Sequence, residues 1–300
     1  MKIIYGLTHI KRYALPVVAL GVFDGMHVAH RRLVRAAVKK ALAIKGTGIV
    51  LTFWPHPQKQ ESLYSLSHRL RLIEELGVEV TIVVRFNKAF ARTSAAAFVK
   101  NILVKKIGAA YVYAGKNFRF GKSALGTPSV LKRLARVYHF RVKIADVVKV
   151  SARRVSSTFI RSLITAGKLD KARILLGRPV SILGTVIKGA ALGRHLGFPT
   201  ANIDCHHEIV PPTGIYAVRA SVRKKQYNGV CYIGTKPTFK TYHAKVIEVH
   251  IFGFREVIYG QEMEIQFIKK IRNDLKFPTI PLLTQQIKKD IASAHKILQD

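Results

Sequence analysis

The chain has 300 residues and a mass of 33.6 kDa, which is more than one hydrophobic core commonly organises, so we expect two domains. Hydrophobic residues make up 49% and charged residues 22% of the chain, and no apolar run reaches the roughly 18 residues of a membrane span. Composition therefore excludes a disordered chain and a transmembrane fold, while the formal net charge of +35 is unusually basic.

Up to about residue 176, runs of β-branched residues alternate with amphipathic segments. Five runs predict strands, namely Val17–Val22, Gly48–Phe53, Val80–Arg85, Ala110–Ala114 and Arg141–Val147. The segments between them predict helices at Arg31–Ile44, Ser67–Leu76, Ser94–Lys106 and Ser129–Tyr138. This alternation favours a doubly wound parallel sheet, whose ligands bind at the carboxyl ends of the strands. We therefore expect the chemistry in the loops after Val22, Phe53 and Ala114.

Beyond Leu176 the predicted strands follow one another without helices between them. They are Val180–Lys188, Ile215–Val222, Asn228–Ile233, Val246–Phe254 and Glu262–Ile271. The last segment, Thr284–Leu298, predicts a helix. This pattern predicts an antiparallel β-barrel with a C-terminal helix.

Charge and cysteine usage suggest a compartment and a class of partner. Most of the basic excess precedes residue 178, and such a field attracts nucleic acid or phosphorylated substrates nonspecifically. Because the basic residues are dispersed along the chain, we favour solvated basic faces over a dedicated nucleic-acid tract. Cys205 and Cys231 show no CxxC spacing, and no charged-then-apolar leader precedes the first strand, so we expect a cytoplasmic protein with reduced thiols.

The first predicted strand leads into two histidines, His27 and His30, at the start of a basic helix. Gly21 and Gly25 allow the backbone to approach a ligand closely, and a helix start attracts anions through its free N–H groups. From these residues alone, a phosphate site, a surface pair and an incomplete metal pair all remain open.

The segment GVFDGMHVAH (21–30) resembles the GxFDGxHxGH signature of the nucleotidyltransferase superfamily, in the form found in prokaryotic bifunctional riboflavin kinase/FMN adenylyltransferases. Ala29 replaces the usual glycine between the histidines, and the segment from Pro57 to Arg69 is shorter than in most members. Three further segments match family patterns in order, namely TFWPHP (52–57), GKNFRFG (115–121) and RVSSTFIR (154–161).

The resemblance implies that His27 and His30 bind the ATP phosphates and stabilise the departing pyrophosphate while the FMN phosphate attacks the α-phosphorus. The other ATP-binding residues that it implies are Gly21, Phe23, Asp24, Arg154, Ser157, Thr158 and Arg161. The flavin-binding residues that it implies are Pro55, His56 and Asn117. For Ser157 a helix-capping role remains open.

A second resemblance covers the barrel region. GAALGRHLGFPTAN (189–202) is similar to the flavokinase segment GxxxGRxLGFPTAN, whose threonine and asparagine hold ATP-bound Mg²⁺, and Thr200 and Asn202 match these two positions. Their hydroxyl and amide oxygens suit that ion. Glu248 matches the family's catalytic carboxylate, which accepts the proton of the ribityl 5′-hydroxyl. Strand alternation alone leaves open whether Glu248 is catalytic or faces solvent.

We therefore expect a nucleotidyltransferase domain of the parallel-sheet class over residues 1–178 and a flavokinase barrel over residues 179–300. The resemblance implies phosphorylation of riboflavin to FMN and adenylylation of FMN to FAD, with MgATP for both reactions and no membrane partner. Two alternatives remain: a member that retains only one activity, and a nucleic-acid-binding protein on a nucleotidyltransferase fold. Only the charge of +35 suggests the latter.

Overall fold

The computed structural model describes residues 1–57, 62–150, 153–189, 193, 196–206, 208–236 and 244–299. Contacts divide the chain into two compact units: Met1–Ser62 with Leu66–Ser157, and Leu63–Ser65 with Thr158–Asp300. The functional boundary after residue 178 stays a prediction. Among the described residues, no helix has the length and apolar character to span a membrane.

The first unit is built on a six-stranded parallel sheet, which confirms the predicted fold class. Its strands are β1 (Lys2–Tyr5), β2 (Val17–Leu20), β3 (Gly48–Trp54), β4 (Val80–Arg85), β5 (Tyr111–Gly115) and β6 (Arg141–Ala145). The sequence did not predict β1, which lies at the edge of the sheet beside β4. Only Ile4 of this strand is buried, so β1 lacks the continuous apolar run that marks a central parallel strand.

Helices connect these strands near the predicted positions. They are α1 (Val28–Ala43), α2 (Leu66–Glu74), α3 (Lys88–Ala91), α4 (Ala95–Ala97), which continues as a π-helix over Phe98–Ile107, a 3₁₀ turn (Lys122–Ala124) and α5 (Pro128–Val137). Ser94 caps α4 by accepting a hydrogen bond from the Ala97 amide, and Thr127 caps α5 in the same way. Gly108 ends the π-helix in the left-handed conformation.

The order of the strands fixes where a ligand can bind. The sheet runs β1-β4-β3-β2-β5-β6, so β2 lies between β3 and β5, and the strand order reverses there. Ligands of open parallel sheets bind at such a switch point, beyond the carboxyl ends of the strands. The three loops expected to carry chemistry follow these three neighbouring strands.

Next come two short antiparallel strands, β7 (Lys149–Val150) and β8 (Arg153–Arg154), and two helices, α6 (Ser157–Thr165) and α7 (Leu169–Leu176). A closed antiparallel barrel follows, as predicted. Its strands are β9 (Val180–Ile187), β10 (Ala201–Asp204), β11 (Gly214–Val222), β12 (Lys225–Lys236), β13 (Ala244–Ile251) and β14 (Glu262–Arg272). The short β10, which pairs with β9 and β13, was not predicted because Pro199 and its polar neighbours are typical of a turn.

The C-terminal helix α8 (Ile280–Gln299) begins four residues before the predicted start at Thr284. Its residues Ala294 and Leu298 pack on Ala217 of β11. Arg272 of β14 forms an ion pair of 2.8 Å with the buried Asp290 of the helix. Apolar packing and this ion pair together hold α8 against the barrel.

Candidate active sites

The two histidines of the signature segment lie together at the start of α1. His27 is the N-cap residue, and its Nδ1 accepts a hydrogen bond of 3.4 Å from the His30 amide. The two imidazole rings stack with their centroids 3.6 Å apart, and Phe23 packs edge-on against His30. The structure therefore brings both predicted phosphate ligands to one helix start, where backbone N–H groups favour an anion.

The loop before these histidines has an unusual backbone. Phe23 and Met26 have φ angles of 56° and 39°, in the left-handed region that bulky residues seldom adopt. Gly25, between them, has φ 79°. A Cβ atom at Gly21 would lie 2.9 Å from the Phe23 ring, so glycine is needed there for a steric reason. The strained loop is held by its surroundings, which is common at binding sites.

Burial keeps both histidines neutral. Desolvation lowers the pKa of His27 to about 4, although its backbone hydrogen bond opposes that shift. Burial also lowers the pKa of His30 well below its usual value, and the charges of His27 and Arg69 add to this effect. A bound phosphate would raise both pKa values because its negative charge favours the imidazolium form.

Ser157 is brought to the signature loop from far along the chain. Its hydroxyl donates a hydrogen bond of 2.8 Å to the backbone carbonyl of Asp24, so it has a structural contact beside its predicted ATP role. Arg154 is exposed on β8. Thr158 and Arg161 lie on α6, within the second unit.

The predicted flavin residues follow the two strands on either side of β2. Pro55 comes directly after β3, joined to Trp54 by a cis peptide bond, and His56 follows it. Asn117 is exposed two residues after β5. The topology thus places these residues at the same edge of the sheet as the histidines.

Arg69 on α2 is a buried charged residue at this edge that the sequence analysis missed. Its guanidinium donates a hydrogen bond to the carbonyl of Val22, which precedes the strained loop. Position 69 shares a helix face with the buried Leu72 and Ile73. This spacing could have indicated that Arg69 is buried. It was overlooked because the chain contains many basic residues.

In the barrel, Thr200 and Glu248 are in direct contact. The Thr200 hydroxyl donates a hydrogen bond of 3.1 Å to Glu248 Oε2. Asn202 pairs with Glu248 across β10 and β13. A Cβ atom at Gly189 would lie 2.0 Å from Asn202 Nδ2, so this glycine allows the chain to lie against the amide group. The strand β10 therefore brings together the three residues that the sequence assigned to the kinase site.

These three side chains fit a hard cation, since they offer hydroxyl, amide and carboxylate oxygens. Among the described residues, no group of three or more His, Cys, Asp or Glu side chains could hold a metal ion. A cavity of about 260 Å³ adjoins Thr200, with Val186 and Val249 on its apolar side. Residues 190–192 and 194–195 of the flavokinase-like segment lie outside the described residues.

Two family models match the chain: FAD synthetase over residues 11–159 and riboflavin kinase over residues 176–298. Curated proteins named bifunctional riboflavin kinase/FMN adenylyltransferase are similar along nearly the whole chain. The one from Bacillus subtilis is 38% identical, covering 92% of this chain and 90% of its own length. The one from Buchnera aphidicola of Schizaphis graminum is 34% identical, covering 99% and 98%.

Among solved structures, the chain resembles one described as a macrolide-efflux protein from Streptococcus pneumoniae. The TM-score is 0.83 at 30% identity, and the match covers 97% of each chain. The two family models, the near full-length relatives and the order of the motifs on the observed strand ends agree with one another. The chain belongs to the bifunctional riboflavin kinase/FMN adenylyltransferase family.

Proposed function

We propose that the chain carries out two successive reactions on flavins and assigns them to different regions. Residues 179–300 phosphorylate riboflavin to FMN, and residues 1–178 transfer an adenylyl group from ATP to FMN, which gives FAD and pyrophosphate. The observation that carries this proposal is that each family match contains its own cluster of assigned residues, the histidine pair in one and Thr200 with Glu248 in the other.

In adenylyl transfer, a phosphate oxygen of FMN attacks the α-phosphorus of ATP, and the bond to the bridging oxygen of the β-phosphate breaks. Such a reaction requires alignment and positive charge rather than a covalent nucleophile. His27 and His30 bind the phosphates from the start of α1 and stabilise the charge on the departing pyrophosphate. Their buried, stacked arrangement supports this role because preorganised donors need no rearrangement during the reaction.

In riboflavin phosphorylation, Glu248 accepts the proton of the 5′-hydroxyl as that oxygen attacks the γ-phosphorus of ATP, and the bond from the γ-phosphorus to the β–γ bridging oxygen breaks, so that ADP leaves. The Thr200 hydroxyl donates to the Glu248 carboxylate and orients it. Thr200 and Asn202 are the residues that would hold Mg²⁺, which supplies charge neutralisation between the ATP phosphates when it is bound. Two protein ligands are about the number that Mg²⁺ takes when phosphates complete its shell.

The location and the partners follow from the same proposal. Riboflavin, FMN and ATP are the small-molecule partners. Two free cysteines, Cys205 and the buried Cys231, support a reducing cytoplasm. Nucleic acid binds only nonspecifically, through dispersed basic residues.

A pair of variants tests the division of labour. His30→Ala should slow FAD formation from FMN by about 10² to 10³, the scale of losing one preorganised donor at a developing charge. Glu248→Gln should slow riboflavin phosphorylation by roughly 10² to 10⁴, since it keeps the shape but removes the base. Each variant should retain the other reaction at the wild-type rate, measured by chromatography of the flavins with riboflavin or FMN supplied separately.

The two variants serve as controls for each other because each preparation reports both reactions. Loss of both activities in either variant would contradict the division into two sites. Wild-type rates in Glu248→Gln would show that Glu248 is an outward-facing strand residue without a catalytic role.

A further inference from the structure

Arg69 is buried at the carboxyl edge of the parallel sheet, with only 1% of its surface exposed. Arginine is rarely this deeply buried unless it meets an anion, because desolvating a guanidinium is costly. Burial lowers the pKa of Arg69 to about 10, and the nearby Asp24 opposes this shift. The side chain therefore remains charged at neutral pH, inside the unit that holds the histidine pair.

Part of the guanidinium holds the strained loop in place. Arg69 Nη1 donates to the carbonyl of Val22. It also lies 3.5 Å from both Thr52 Oγ1 and the carbonyl of Phe53. The Thr52 hydroxyl donates to the same Val22 carbonyl at 2.9 Å. Arg69 thus links the ends of β2 and β3 at Val22, directly before the strained loop that leads to His27.

The other nitrogen atoms of the Arg69 side chain are hydrogen-bond donors without partners among the described residues. Its Nε and Nη2 atoms are buried and have no hydrogen-bond partner within the part of the chain that the structure describes. The Nδ1 atom of His30 is in the same condition. Arg69 is close enough to His30 to lower its pKa, and Asp24 is the acidic group that acts on Arg69. A buried cation with unpaired donors beside a helix start favours a polyanion.

We propose that Arg69 is a positioning residue for adenylyl transfer. Its hydrogen bond to Val22 fixes the loop that carries Asp24, His27 and His30, and its permanent charge favours the ATP phosphates and the pyrophosphate that leaves. This inference rests on the proposed assignment of His27 and His30 to those phosphates. It assigns to Arg69 no contact with the reacting atoms.

Three variants separate charge from packing. Arg69→Met keeps an extended side chain without charge or donors, Arg69→Lys keeps the charge and a donor, and Arg71→Met is a matched control on the same helix. FAD formation from FMN is measured as kcat and as KM for MgATP. Inhibition by pyrophosphate reports anion binding, and riboflavin phosphorylation is followed on the same preparations.

Arg69→Met should lower kcat/KM for MgATP by about 10², the scale of misplacing a reacting group by about 1 Å. It should also raise the inhibition constant of pyrophosphate roughly tenfold, as expected when one buried positive charge near the anion is removed. Arg69→Lys should show wild-type pyrophosphate inhibition, and its kcat/KM for MgATP should be at least tenfold higher than that of Arg69→Met. Arg71→Met should behave as wild type, and all three variants should phosphorylate riboflavin normally.

Wild-type pyrophosphate inhibition in Arg69→Met would overturn the proposal, because a purely structural arginine changes folding but not the affinity for an anion. Equal impairment of Arg69→Lys and Arg69→Met would overturn the role of the charge. If Arg69→Met does not fold, Arg69→Gln, which keeps a hydrogen-bond donor but removes the charge, takes its place: weakened pyrophosphate inhibition supports the proposal, and wild-type inhibition overturns it. An unaffected His30→Ala beside an impaired Arg69→Met would overturn the His30 assignment and still support Arg69.

Discussion

At the scale of single residues, the buried His27 both caps a helix and makes the stability of the first unit depend on pH. Its ring caps α1 by accepting the His30 amide, and it is only 4% exposed. A buried histidine that stays neutral in the folded state makes stability depend on pH. At pH values between its folded and unfolded pKa, the unfolded chain binds a proton at this residue and the folded chain does not. The neutral ring is therefore a structural element whose titration contributes to the stability of the first unit.

We predict that the first unit loses stability as the pH falls from about 6.5 to about 4. The unfolded His27 takes up its proton near 6.5, whereas the folded pKa is about 4, so the unfolded state binds more protons throughout that window. His27→Asn keeps a capping side chain but removes the titration. Between pH 7 and pH 4 it should lose about 2 to 3 kcal/mol less stability than wild type.

The measurement is urea unfolding followed by fluorescence of Trp54, which is the single tryptophan of the chain and lies at the end of β3 in the first unit. His9→Asn, at an exposed position, serves as the control. Equal losses of stability in wild type and His27→Asn on acidification would contradict the prediction.

At the scale of elements, the short strand β10 organises the proposed kinase site. It pairs with β13 on one side, where Asn202 faces Glu248, and with β9 on the other. The glycine after β9 leaves room for the Asn202 amide. The site thus depends on three neighbouring strands and on one position without a side chain.

Gly189→Ala should disturb this arrangement, because its Cβ atom would lie 2.0 Å from Asn202 Nδ2. We expect riboflavin phosphorylation to fall by about 10², the scale of a 1 Å displacement in a positioned group, together with a higher Mg²⁺ requirement. Steady-state assays over a series of Mg²⁺ concentrations measure both effects. FAD formation from FMN is the internal control. An unchanged rate of riboflavin phosphorylation would contradict the assignment of Asn202 to the kinase site.

At the scale of the whole molecule, the charge of +35 must be reconciled with an enzyme of small anionic substrates. The two family matches account for the motifs in both regions, so the charge need not indicate a second partner. A basic molecule attracts phosphates from a distance and raises their rate of encounter. The same field acts on nucleic acid without selecting a sequence.

We predict that duplex DNA binds weakly, with a dissociation constant of about 10⁻⁴ to 10⁻⁶ M at physiological salt. The affinity should fall steeply as salt rises, since neutralising phosphates releases counterions. Anisotropy of a labelled duplex over a KCl series measures this, with a second duplex of shuffled sequence as the control. Submicromolar binding that distinguishes the two duplexes would instead establish a nucleic-acid function.

The sequence by itself determined the class of both folds and the positions of the motifs. Apolar runs with their turn residues predicted the central strands, and the order of strands and helices predicted a parallel sheet followed by a barrel, as observed. These features are local, because periodicity and glycine or proline signals act within a few residues. The resemblance then assigned His27, His30 and Glu248 before any contact was known.

Only the tertiary structure decided which of these residues meet and what surrounds them. The edge strand β1, the pairing of β10 with β13 and the bond between Thr200 and Glu248 join segments far apart in the chain. In the sequence, Arg69 is one of many basic residues. Only the fold shows that it is buried and donates a hydrogen bond to Val22, directly before the strained loop. Burial and long-range pairing depend on how whole elements pack, and local periodicity does not encode that packing.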